Sequence, residues 1–165
     1  MNGPMSMPTG QRRVLLDANV LLLLLVGTVD RALIGSFKRT AIFTEDDFDL
    51  LNLVLAYFHE IVTTPHVLTE ASNLLGQLPS HLSETYFANF RIVVAAFNEQ
   101  MNAAQVITTE PVFTQLGLTD AAITHVARAR VLEVLTVDLD LWLHLTDQGI
   151  TAHNFNHVRS HGMFN

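Results

Sequence analysis

The sequence predicts an α/β fold: a three-layer α/β/α domain with a central, mostly parallel sheet of four or five short strands. Short apolar runs of strand length alternate with segments of helical spacing from Arg13 to Phe155. Acidic residues stand just past the strand runs and in the opening turns of the helices that follow, where parallel sheets place their binding crevices. The chain has 165 residues, 49% of them hydrophobic and only 15% charged, enough for one domain with its own core. We expect a flexible leader over residues 1–10, rich in Met, Pro and Gly, and a single domain over residues 11–165.

Residues 13–17 (RVLLD) are an apolar run closing on an acid, the pattern of a buried strand. Residues 19–27 are apolar nearly all round and reach Gly27, which predicts a deeply buried helix stopping there. A second short helix is expected over residues 30–37, then a connector carrying Lys38 and Arg39. Thr44 offers a capping oxygen, and Glu45, Asp46 and Asp47 suit the positive end of a helix dipole. Phe48, Leu51, Val54, Leu55 and Phe58 continue that helix at its own period. The same acids lack the glycine and alternation of a Ca²⁺ loop, so a helix start is their role.

Residues 61–63 are β-branched and predict the second strand, after which Thr64 caps and Pro65 begins a helix ended by Pro79. Ser80 is expected to cap a helix through about Glu99, with Phe87, Phe90, Val94 and Phe97 facing inward as core rather than as a base-stacking platform. Residues 105–107 predict a minor edge strand, and residues 109–117 a short helix stopped by Gly117. A helix over residues 120–130, a strand over 134–137, a helix over 139–148 closed by Gly149 and a last strand over 152–155 complete the pattern.

Composition narrows function. With no cysteine, disulfides, thiolate nucleophiles, Cys-based zinc sites and iron–sulfur clusters are excluded. The apolar run after Asn19 is too short to span a bilayer and lacks a cleavage site, so a cytoplasmic protein with no membrane association is expected. Acids outnumber bases 16 to 9, a net charge of −7, which argues against coating nucleic acid through a basic surface. It leaves acids free to hold a cation. No Gly-rich phosphate loop or Walker lysine is present. His153, His157 and His161 recur every four residues, but the strand expected at 152–155 breaks the helical face that a zinc site would need.

Four acids fall where a crevice is expected. Asp17 and Asp138 follow the first and fourth apolar strand runs, Asp120 opens a helix behind Thr119, and Glu70 lies in the second turn after the second strand. One such acid alone is as well explained by a helix cap or a solvated charge. One per βα unit, delivered to one sheet edge, is costly without a counter-ion. Hard divalent cations, Mg²⁺ or Mn²⁺, answer that cost, and they can orient and activate a water against a phosphodiester.

The strings VLLDANVL (residues 14–21), TPHVLTE (64–70), LTDAAI (118–123) and LTVD (135–138), in this order and spacing, carry a resemblance to the PIN-domain ribonucleases, the fold of the VapC-like toxins of toxin–antitoxin pairs. The resemblance implies an acidic quartet of Asp17, Glu70, Asp120 and Asp138 holding Mg²⁺ or Mn²⁺ for cleavage of single-stranded RNA. It implies that Asn19 orients the first acid and that Thr136 is the hydroxyl residue preceding the last. Asp140 is then either an acid in a second metal's shell or a cap of its helix. Lys38 and Arg39 either contact substrate phosphate or are solvated. An antitoxin partner and a homodimer are further implications. The alternative class is a non-catalytic PIN-like binding or regulatory module, motivated by the low basic content. A phosphoacceptor receiver domain would need a lysine near the last strand, and the sole lysine is Lys38; a haloacid-dehalogenase-type phosphatase would need an acid where Asn19 stands.

Overall fold

The computed structural model describes residues 11–161; the leader expected over residues 1–10 lies outside them. The fold is α/β, with five parallel strands in one sheet and nine α-helices among the described residues. Strand β1 (Arg13–Leu16) is central, and the order across the sheet is β3-β2-β1-β4-β5. From β1 the chain proceeds outward one way through β2 (Glu60–Thr63) to β3 (Asn98–Glu99). It then returns to lay β4 (Glu133–Thr136) on the other side of β1, and β5 (Ala152–Asn154) beyond it. Parallel crossovers are right-handed as a rule, so connections running to opposite sides of β1 send their helices to opposite faces, the basis of three layers. The order reverses between β1 and β4, where Leu16 pairs with Leu135, and a crevice opens past their carboxyl ends.

Helix α1 (Ala18–Val29) follows β1 and is buried along Val20–Gly27, as an all-round apolar sequence requires. It packs against α2 (Glu45–Leu55), α3 (Pro65–Leu75) and α4 (Ser80–Val94). Gly27 does not end it. A Cβ there would lie 2.2 Å from Cδ2 of Phe48, so this glycine lets α2 approach α1 closely, and the helix continues to Val29. Asp30 then caps a single 3-10 turn, Arg31–Leu33, in place of the helix expected over residues 30–37.

Thr44 and Asp47 form a reciprocal capping box at the start of α2, and Thr64 accepts from the Val67 N–H with Pro65 first in α3. Ser80 is itself the first residue of α4, with Pro79 at the cap position and no side-chain cap. That helix stops at Val94 rather than near Glu99, because Asn98 and Glu99 pair with Val62 and Thr63 as β3. Phe87, Phe90 and Phe97 are partly buried against the main core.

Residues 105–107 are not the edge strand. They belong to helix α5 (Ala104–Ile107), whose Ile107 is buried with Val112, Ala121 and Ala122 in a small satellite core. Helix α6 (Phe113–Leu116) runs into Gly117 at φ +88°, a left-handed turn that starts α7 (Leu118–Arg130) in a new direction. Helix α8 (Leu139–Asp147) follows β4. Phe155 leaves the last strand and opens α9 (Phe155–His161), burying its ring in the core. No described helix is long and apolar enough to cross a membrane.

A cluster at the amino ends of the strands ties the sheet together. Glu133 accepts two hydrogen bonds from Arg12, at 2.7 and 2.8 Å, and its Oε2 lies 2.7 Å from Nε2 of His153 on β5. Burial works against this charge, but the bonds from Arg12 and His153 prevail and hold the carboxyl at about 2.

Candidate active site

A cleft of about 280 Å³ lies past the carboxyl ends of β1 and β4, at the point where the strand order reverses. Asp17, Asn19, Glu70, Asp120 and Asp138 all line it, with Leu116, Leu118 and Thr119 closing one side. Each acid arrives on a different element: Asp17 between β1 and α1, Glu70 on α3, Asp120 in the first turn of α7, and Asp138 between β4 and α8. Among the described residues, no basic side chain lines the cleft.

Asp17 is 5% exposed and is held by three donors. Its Oδ1 accepts from the Val20 N–H at 2.8 Å, capping α1; its Oδ2 accepts from the Val137 N–H at 2.9 Å and from the Thr136 hydroxyl. Burial outweighs these bonds and, aided by the charge of Asp138, raises the Asp17 carboxyl above its ordinary range. Asp138 Oδ1 accepts from the Leu141 N–H at 3.0 Å and so caps α8. Both strand-end acids are therefore helix caps and cleft acids at once.

Asp120, like Asp17, is shifted in the direction that favours its neutral form. Burial first, then the charges of Asp138, Asp17 and Glu70, push its carboxyl up to about 7. Its environment thus registers the other three acids directly.

Several expected residues sit differently. Thr136, not Asn19, orients Asp17: Asn19 is exposed at the cleft wall, and the three hydrogen bonds to the carboxylate come from elsewhere. Asp140 is exposed in the first turn of α8 and does not line the cleft. Lys38 and Arg39 do not line it either. Arg39 instead donates to Gln77 Oε1 at 2.6 Å, beyond the carboxyl end of α3. Arg12, Arg13 and Arg128 gather at the opposite pole, around a hollow at the amino ends of the strands. The three histidines take separate partners: His153 meets Glu133, His157 stands edge-on to Trp142 with ring centroids 5.0 Å apart, and His161 approaches the His157 carbonyl.

Sequence reasoning missed the backbone donors of Val20 and Val137 and the walls formed by Leu118 and Thr119. Thr119 was signalled only as the residue before Asp120, and backbone donors leave no trace in side-chain identity.

Among the described residues, no group of three or more His, Cys, Asp or Glu side chains is gathered tightly enough to hold a metal ion. The donor set still suits a hard cation. Its charged groups are all carboxylates, no described lysine or arginine neutralises them, and burial followed by the neighbouring acids raises the Asp120 carboxyl. Mg²⁺ commonly keeps several waters and binds through one or two carboxylates, so a wide acidic cleft fits it better than a closed cage would. No family model matches the chain and no curated protein matches it, so the cleft is defined by its own residues and their positions.

Proposed function

We propose that the protein is a Mg²⁺- or Mn²⁺-dependent endoribonuclease of the PIN-domain type, hydrolysing phosphodiesters in single-stranded RNA. The observation that carries this is the delivery of four carboxylates from four elements to one cleft without a basic counter-charge. Asp17, Asp120, Asp138 and Glu70 would hold the ion, directly or through water. When bound, the ion supplies charge neutralisation at the phosphate and lowers the pKa of an attacking water.

The chain's own groups divide the remaining work. Thr136 and the Val20 and Val137 N–H groups hold Asp17 in one orientation. Asp138 is fixed as a cap through Oδ1 and lines the cleft, so its second oxygen would be the one offered to an ion. Glu70, exposed on α3, is free to turn toward a water and accept its proton. The same proposal places the protein in the cytoplasm, as the toxin of a toxin–antitoxin pair and as a homodimer, following the motif resemblance.

The test is cleavage of short single-stranded RNA by the purified protein with Mn²⁺. The double variant Asp17→Asn, Asp120→Asn is expected to lose at least about 100-fold in rate while keeping its circular dichroism spectrum. Undiminished cleavage by the double variant would sink the mechanism. A non-catalytic binding module is the second reading, favoured by the absence of lysine and arginine from the cleft. Calorimetry separates the two: a catalytic site gives Mn²⁺-dependent heat that Asp17→Asn abolishes.

A further inference from the structure

Beside the acidic cleft, and sharing Glu70, Leu118 and Thr119 with it, lies a second hollow of about 380 Å³. Its other walls are Pro65, His66, Thr69 and Asn73. The geometry of α3 explains this wall. His66 precedes Glu70 by four residues and Asn73 follows it by three, so all three side chains lie along one helix face. Glu70 thus stands between the two hollows, and a strand leaving the cleft past Glu70 enters the second one.

The chemistry of the hollow differs from that of the cleft. Glu70 is its one carboxylate, and neither lysine nor arginine lines it, so it is not built for a phosphate. His66 is half-buried, and its Nδ1 is sealed from solvent with no hydrogen-bond partner among the described residues, so that edge of the ring faces the protein. The Thr69 hydroxyl is engaged by the Pro65 carbonyl at 2.8 Å. Asn73 is exposed, and its amide meets no protein partner among the described residues. An aromatic ring and an unengaged amide lining one hollow offer what an unpaired base requires: a face to stack on, and a donor and acceptor for its edge. The volume is at the small end for ligand sites and suits one nucleoside.

We propose that this hollow seats the unpaired base of the nucleotide next to the scissile phosphate, with His66 stacked on the base and Asn73 contacting its edge. The inference rests on the ribonuclease assignment above and adds a base preference at one position of the RNA.

The test uses short single-stranded RNAs carrying the fluorescent base 2-aminopurine at one position at a time, with Mn²⁺ present. Bound to the Asp120→Asn protein, which leaves the RNA intact, one position is expected to be quenched by stacking. Adding His66→Ala removes that quench. In the otherwise unchanged chain, His66→Ala lowers kcat/KM by about 10- to 100-fold, through KM rather than kcat, because the base seat binds ground and transition states alike. His66→Phe restores both signals. Asn73→Ala, at an exposed position, keeps the quench and flattens the base preference. If His66→Ala fails to fold, His66→Phe and Asn73→Ala decide. Cleavage by the wild type with KM and base preference unchanged in the variants overturns the base seat and leaves the ribonuclease assignment intact. A His66-dependent quench without cleavage supports the seat and overturns the assignment; neither quench nor cleavage overturns both.

Discussion

Thr136 joins two of the cleft acids: its hydroxyl donates to Asp17 Oδ2 and accepts from the Asp138 N–H at 2.9 Å. Asp17 is thereby tied from the end of β1 to the end of β4. Thr136→Val keeps the shape but leaves a buried carboxylate one donor short, an expected loss of about 1–3 kcal/mol in urea denaturation. Mn²⁺ affinity measured by calorimetry is expected to fall about 10- to 100-fold, with Thr136→Ser recovering most of it. Unchanged metal affinity in a folded Thr136→Val protein would remove the positioning role.

Asp120 gives the metal-free protein a distinctive pH response. Its folded carboxyl titrates at about 7 against an ordinary value of 3.8, so between these values the folded state holds a proton that the unfolded state has lost. Stability is therefore expected to fall as pH rises through that window. Asp120→Asn should melt higher than the wild type at pH 8 in chelator and show no such advantage near pH 4. A residual slope of the same sign belongs to Asp17, which is raised as well. Identical melting profiles for the two proteins would contradict the electrostatic account of the cleft.

Glu133 has the opposite sign. Its carboxyl is lowered from 4.5 to about 2, so the stability it contributes is present above 4.5 and lost as pH falls toward 2. Glu133→Gln is expected to cost about 1–2 kcal/mol at neutral pH, typical of a charge-assisted cluster that stays partly hydrated. It should also flatten the acid limb of a denaturation curve followed by circular dichroism. A steep acid limb that survives the substitution would assign that limb to other carboxylates.

Gly27→Ala distinguishes a packing glycine from a helix terminator. In an open helix the change stabilises by about 1 kcal/mol. Here the added methyl meets the Phe48 ring, and a loss of about 1–3 kcal/mol is expected. Phe48→Ala in the same chain should remove most of the penalty, so the two changes are strongly non-additive. Stabilisation by Gly27→Ala alone would mean that α2 yields freely.

The strand and helix alternation was legible because its signals are local. RVLL at β1, the Thr44 capping box and the Thr64-Pro65 start each carry their own physics in adjacent residues. The four acids were legible for the same reason, since a strand end or a first turn can be read from the pattern around it. What escaped was set by partners distant in sequence. Asn98 and Glu99 are two polar residues that become a strand only because β2 offers them an edge. Ile107 belongs to a short apolar run that fits strand and helix equally, and burial beside Ala121 and Ala122 settles it as helix. Gly27 reads as a stop because nothing nearby in sequence announces Phe48, and the bond from Thr136 to Asp17, 119 positions away, has no local sign.

The Glu133 cluster has a mechanical consequence as well as an electrostatic one. Arg12 ahead of β1, Glu133 at the start of β4 and His153 in the middle of β5 rivet three neighbouring strands away from the cleft, as the ribs of a fan are held toward the handle. The acids stand at the tips. At the tips, the Thr136 hydroxyl and the Val137 N–H both donate to Asp17 and close the seam between β1 and β4 a second time. The strands that carry Asp17 and Asp138 are thus bound to each other at both ends, so the sheet itself sets the spacing of these two acids.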